Sequence, residues 1–195
     1  MKALEKKLKN LTDSPLYKYR QKNNYHPVIG EGSLNADIIF IGEAPGQKEA
    51  ETGRPFVGAA GKHLDKLLQS INLKRQDVYI TNIVKDRPPK NRDPQPKEID
   101  IYAPLLIKQI KIIKPQVIAT LGRFSLNFLL NYIFKNDKYY PISKLHGKTW
   151  QTPTSFGKTT IFALYHPAAA LYNPNLRSTM EEDFQKLSKI ITQNS

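Results

Sequence analysis

The sequence predicts an α/β protein in three layers, with helices on both faces of a central four-stranded parallel sheet. Two observations carry this. Four short apolar runs, Ile38 to Ile41, Val78 to Val84, Gln116 to Leu121 and Thr160 to Tyr165, have strand length, and the stretches between them space Leu, Ile and Phe as helices do. Strands that alternate with helices pair in parallel, because right-handed crossovers return the chain to the same edge of the sheet and leave a helix on its face. No internal repeat or flexible linker interrupts the pattern, and the 195 residues fit one domain with a sizeable core, read as 1–195.

Taken in order, Leu4, Leu8 and Leu11 recur at helical spacing and predict a short amphipathic helix before Asp13-Ser14-Pro15. Lys18, Arg20 and Lys22 then interleave with Tyr17, Tyr19 and Tyr25, a pattern that suits a nucleic-acid-facing segment and equally a solvated basic stretch. The first strand stops at Gly42-Glu43-Ala44-Pro45-Gly46, followed by a loop to Gly58. Leu64, Leu67, Leu68 and Ile71 form one stripe of a helix from Gly61 to Ile71. The second strand enters a polar loop, KDRPPKNRDPQP, whose prolines prohibit regular structure. Beyond Pro96 the pattern is helical, and Pro104 predicts a break between a short helix and a longer one over Leu105 to Ile113. The third strand leads into Gly122-Arg123 and a helix from Phe124 to Phe134. Residues 135 to 158 read as a loop with a strand or two around Trp150. After the fourth strand and His166-Pro167, a closing helix places Met180, Phe184, Leu187 and Ile191 on one face.

Thirty Lys and Arg against 17 Asp and Glu leave a net charge of +13, which favours a polyanionic partner such as nucleic acid; an anionic membrane surface is the competing partner. No apolar run approaches the roughly 20 residues that span a bilayer, and MKALEKKLKN lacks the apolar core of a secretory signal, so the expected setting is cytoplasmic, without membrane. The absence of Cys excludes disulfides, a Cys nucleophile, thiolate zinc and any iron–sulfur cluster held by thiolates, and no metal site is predicted. In a parallel sheet all strand C-termini share one edge, so Glu43, Asn82, Arg123 and His166 should converge there. For GEAPG by itself, a Gly/Pro turn with a solvated Glu is the plain alternative.

Five motifs in this order, GEAPG, GRPFVGAAG, TNIVKDRPPKNRDPQP, LGR and YHPAA, resemble the uracil-DNA glycosylase superfamily, and most of all its family 4, from about Ser14 to Asp183. One departure is large. Members of family 4 carry four cysteines that hold a [4Fe-4S] cluster, and the matching positions here are Leu11, Ser14, Asp86 and Tyr102, so no cofactor is expected. Ala50 also stands where the family has an acid after Glu49.

The resemblance implies hydrolysis of the N-glycosidic bond of a deoxyuridine flipped out of single- or double-stranded DNA, by a monomeric, monofunctional enzyme. Glu43 would orient or activate the attacking water and face the cationic sugar, while His166 would donate a hydrogen bond to the anion developing at uracil O2, for which a neutral imidazole suffices. Phe56 would stack on the base. Asn82 can give and take one hydrogen bond at once, matching O4 and N3–H of uracil, a pattern that cytosine inverts. Gly42, Ala44 and Gly46 would present backbone to the base. Lys85, Arg87, Lys90, Arg92 and Arg123 are candidate phosphate neutralisers, Leu171 or Tyr172 would fill the gap left by the base, and Arg177 would lie near the DNA backbone. Two other readings remain: a relative that binds uracil or abasic DNA with little catalysis, and a glycosylase for another deaminated base such as hypoxanthine.

Overall fold

The computed structural model describes residues 1–194. Helices α1 (Lys2–Lys9) and α2 (Tyr17–Lys22) form an N-terminal arm ahead of a two-residue strand β1 (Glu31–Gly32). Strand β2 (Ile38–Gly42) is followed by α3 (Gln47–Thr52) and α4 (Ala59–Ser70), and β3 (Tyr79–Asn82) by a single 3-10 turn and α5 (Pro96–Ile113). Strand β4 (Val117–Leu121), α6 (Arg123–Phe134), α7 (Ile142–Leu145), the hairpin β5 (Thr149–Thr154) and β6 (Gly157–Leu164), α8 (Ala169–Tyr172) and α9 (Leu176–Asn194) complete the chain.

Among the described residues the strands make one six-stranded sheet in the order β1-β3-β2-β4-β6-β5. Its centre, β3-β2-β4-β6, is the parallel four-stranded sheet expected from the sequence. The edges β1 and β5 pair antiparallel to β3 and β6. The edge β1 is too short to show a period, whereas β5 is a strand around Trp150, as expected, and contains Pro153, which only an edge strand tolerates. Strand β2 lies between β3 and β4, so the chain first winds to one side of it and then to the other. The switch point falls at the carboxyl ends of β2 and β4, where such sheets open a crevice.

Side-chain alternation along β2 builds both inner surfaces. Ile38 and Phe40 join Leu64, Leu67 and Leu68 of α4 and Phe184 and Leu187 of α9 in one core, while Ile39 and Ile41 join Leu106, Ile110 and Ile113 of α5 and Leu126, Leu129 and Leu130 of α6 in the other. A third cluster seats the N-terminal arm, with Leu4, Leu8 and Leu16 against Val84, Tyr102 and Leu105.

The break expected at Pro104 does not occur, and α5 runs unbroken through it. Pro104 lies on the exposed face, where the carbonyl it leaves unpaired can be hydrated, and the opposite face buries Tyr102, Leu105, Leu106 and Gln109. That burial outweighs one lost hydrogen bond. The N-terminus of α5 is fixed by Pro96 and by a capping box between Gln95 and Glu98. The stretch between Gly46 and Gly58, expected as loop, contains the short helix α3.

The rings of Phe40 and Phe184 stack at 5.9 Å with an interplanar angle of 9°. Phe184→Ala should therefore destabilise the fold by about 3–5 kcal/mol, measured as a lowered urea midpoint with an unchanged slope.

Candidate active site

Glycine at position 42 opens the site. Gly42 pairs with Asn82 across β2 and β3, and a Cβ at 42 would overlap Asn82 Oδ1 and the Phe56 ring. With no side chain there, the ends of the two strands face a cavity of about 470 Å³ lined by Glu43, Ala44, Phe56, Asn82, His166 and Tyr172 among others. A depression of about 510 Å³ between α5 and α6, lined in part by Phe124, Phe128 and Tyr132, has no imidazole in its wall.

Asn82 is buried, and its Oδ1 has no hydrogen-bond partner among the described residues. An unpaired buried amide oxygen costs about 1–3 kcal/mol, which a ligand donating a hydrogen bond at this spot would recover. Glu43 follows β2 directly. Its backbone carbonyl accepts from Val84 N–H at 3.0 Å and that of Gly42 from Ile83 N–H at 3.0 Å, so the turn is stitched to the exit of β3. Burial pushes the Glu43 carboxyl up to about 7, Asp93 adds to the rise, and Arg123 opposes it.

His166 lies beyond β6, beside Gly122, where φ is +94° and a Cβ would press on the His166 side chain. Its Nδ1 accepts from Ala168 N–H at 3.2 Å, which leaves Nε2 to carry the ring proton. Burial pulls the imidazole down to about 4, so the ring is neutral near pH 7 and presents one N–H. The Phe56 ring is 5.6 Å from the His166 ring, tilted by 33°, and Phe56 holds φ at +50°.

Sequence reasoning missed two residues that impose this position on Phe56. Glu49 on α3 accepts from the N–H groups of Val57 and Gly58 at 2.8 and 2.7 Å. Arg75 donates to the carbonyls of Pro55 and Phe56 at 2.6 and 3.0 Å while paired with Glu31 and Asp65. Both sit well outside GRPFVG in the chain, and only the unusual run GRPFVG hinted that something must hold the loop.

Lys85, expected as a phosphate neutraliser, is not on the surface. It is fully buried, with Nζ on Thr81 Oγ1, the Asn82 carbonyl and Gln109 Oε1 at 2.7, 2.6 and 2.6 Å, so it cannot meet a phosphate. Arg87 is engaged with Asn91 and Tyr25, and Arg92 forks onto Glu98. Arg123 pairs with Asp93 at 2.6 Å on the surface. Lys90 and Arg177 are exposed. Leu171 and Tyr172, 46% and 88% exposed, project from α8 just beyond His166, with Tyr172 at the cavity.

The positions matching cluster ligands do not suit a metal. Ser14, Asp86 and Tyr102 are hydrogen-bonded to one another, with the guanidinium of Arg20 on Asp86, and among the described residues no three His, Asp or Glu gather as metal ligands. An iron–sulfur cluster needs thiolates, and a cation already occupies the centre of this set.

A doubly wound sheet that gathers a carboxylate, an amide and an imidazole along its carboxyl edge defines the class of α/β proteins whose sites lie at the strand ends. The uracil DNA glycosylase superfamily model matches residues 29–189, and the chain belongs to that family. It is 45% identical to the type-4 uracil-DNA glycosylase of Archaeoglobus fulgidus over 88% of this chain and 84% of the relative. Identity to the type-4 enzyme of Sulfurisphaera tokodaii is 48%, over 84% of this chain and 74% of the relative, and to that of Thermotoga maritima 38%, over 98% and 94%.

The raised Glu43 has a consequence for stability. Its folded value, about 7, lies above its ordinary 4.5, so its contribution is fully present below 4.5 and is lost as pH rises through about 7. Glu43→Gln should therefore stabilise the protein at about pH 8.5 by roughly 1–2 kcal/mol, discounted for partial exposure, with the difference vanishing near about pH 4 in urea titrations.

Proposed function

We propose that the chain is a uracil-DNA glycosylase that cleaves the C1′–N1 bond of a flipped deoxyuridine in single- or double-stranded DNA, as a monomer and without a metal cluster. The orphaned Oδ1 of Asn82 is the observation that carries this reading. Uracil offers N3–H to that oxygen and O4 to the amide nitrogen, whereas cytosine presents an acceptor and a donor in the reverse order. Each mispaired buried group costs about 1–3 kcal/mol, enough to exclude cytosine.

Water adds its oxygen to C1′ as the C1′–N1 bond breaks, and the bonding pair leaves with uracil. Ionised Glu43 accepts the proton of the water and faces the positive sugar. His166 Nε2–H donates to uracil O2, where the leaving charge gathers. Because the imidazole is neutral and its tautomer is held by Ala168, this donor is in place before charge develops and needs no reorganisation. Phe56 covers the face of the base, and Leu171 or Tyr172 occupies the space it vacates in the DNA. The positive surface supplies the attraction for DNA, and the relatives' named activity supports the same substrate.

Release of free uracil from a labelled oligonucleotide tests this. Glu43→Ala and His166→Ala should each lower kcat by about 10²–10³-fold. The wild-type kcat/KM should rise with pH through about 7 and then level, since only the ionised carboxylate can take a proton, and His166, with its value near 4, adds no opposing limb. No uracil release by the wild type, or an undiminished rate in Glu43→Ala, would refute it.

A further inference from the structure

A buried polar network lies outside the cavity, between the N-terminal arm and the segment leaving β3. Arg20 on α2 and Asp86, four residues beyond Asn82, are 3% and 1% exposed. Arg20 Nη1 donates to the two Asp86 oxygens at 3.1 and 3.0 Å. Tyr102 on α5 donates its hydroxyl to Asp86 Oδ2 at 2.5 Å and meets Ser14 Oγ at 2.6 Å, and Ser14 Oγ accepts from Leu16 N–H at 3.1 Å. Arg20 also donates to the carbonyls of Leu8 and Lys9, at 3.3 and 2.8 Å, closing the end of α1. One carboxylate thus gathers α1, α2 and α5 onto a single point of the chain.

A buried ion pair adds little net stability, because desolvation offsets its attraction; what it supplies is direction, since every oxygen and N–H must be met in place. The place it fixes is two residues from the site. Val84 N–H holds the Glu43 carbonyl, Ile83 N–H holds that of Gly42, and Asn82 ends the same strand. We propose that the Arg20–Asp86–Tyr102–Ser14 network is a positioning device for Glu43 and Asn82. Ser14, Asp86 and Tyr102 are three of the four positions that match the family's cluster cysteines. Their oxygen chemistry and the guanidinium among them suit hydrogen bonding and exclude that cluster. The proposal rests on the glycosylase reading for what the positioned groups do.

Tyr102→Phe tests it with little other disturbance, because the ring stays in the core and only the hydroxyl shared by Asp86 and Ser14 is lost. In this variant kcat for uracil release should fall roughly 10- to 100-fold while KM moves less than about threefold, as expected when a reacting group is misplaced but binding survives. Amide exchange at Val84, measured well below the melting temperature, should quicken by about tenfold or more. Asp86→Asn should do the same more strongly. Leu130→Ala, on α6 in the core outside the network, should lose thermal stability yet keep its kcat and Val84 protection. If Asp86→Asn does not fold, Tyr102→Phe and Ser14→Ala decide. Wild-type kcat and Val84 exchange in the folded network variants would overturn the proposal, as would an equal kcat loss in Leu130→Ala. A wild type that releases no uracil defeats the glycosylase reading instead, and Val84 exchange in Tyr102→Phe still decides whether the network braces the site.

Discussion

The pairing of Gly42 with Asn82 across two parallel strands is the constraint on which the site depends. Parallel pairing brings both strand ends to the same edge, and the missing side chain at 42 lets the Asn82 amide and the Phe56 ring come against the end of β2. The rest of the cavity is arranged around that close approach. Phe56 reaches it only because Glu49 and Arg75 hold a loop in which Phe56 adopts a left-handed backbone conformation. His166 closes the far side against Gly122, whose own positive φ makes room for the imidazole.

Burial then sets the charge states, and it acts on the two titrating groups in opposite directions. Desolvation disfavours whichever form is charged, so it raises Glu43 and lowers His166. The imidazole is thereby kept a neutral donor, while the carboxylate is kept basic enough to accept a proton yet ionised in a large fraction of molecules near pH 7. A charged imidazolium buried here without a hydrogen-bonded carboxylate would be costly. The Ala168 N–H is a cheaper means of presenting one N–H in a fixed direction.

The parallel sheet, its strand-end residues and the cavity members Glu43, Asn82 and His166 were legible in the sequence because each is a local break in a pattern: a carboxylate, an amide or an imidazole at the end of an apolar run. What was not legible is non-local. Lys85 stands in a polar, basic loop and reads as a surface cation, yet the three acceptors that bury it come from β3 and α5. Pro104 reads as a helix break, and only the burial of Tyr102, Leu105 and Leu106 against other elements reverses that. The roles of Glu49 and Arg75 depend on a loop conformation that no spacing encodes. Zero Cys announced that no thiolate could be supplied, but not that Ser14, Asp86 and Tyr102 would meet.

Most of the arginines are committed to carboxylates, and this bears on how a polyanion would be held. Arg20, Arg54, Arg75, Arg92 and Arg123 are each paired with a carboxylate, where a planar fork of donors fixes geometry. The long-range field of a chain with net charge +13 therefore comes mainly from exposed lysines, which attract DNA without specifying its register. The arginines are not equally committed. Glu98 is 1% exposed, so stripping Arg92 from it would strand a buried charge, whereas Arg123 and Asp93 are 52% and 63% exposed and their pairing is worth at most about 1 kcal/mol. A phosphate can take Arg123 from Asp93 at little cost. Since Arg123 holds Glu43 down and Asp93 pushes it up, that exchange would weaken the restraint on Glu43 and move its ionisation upward, tying phosphate contact to the basicity of the carboxylate.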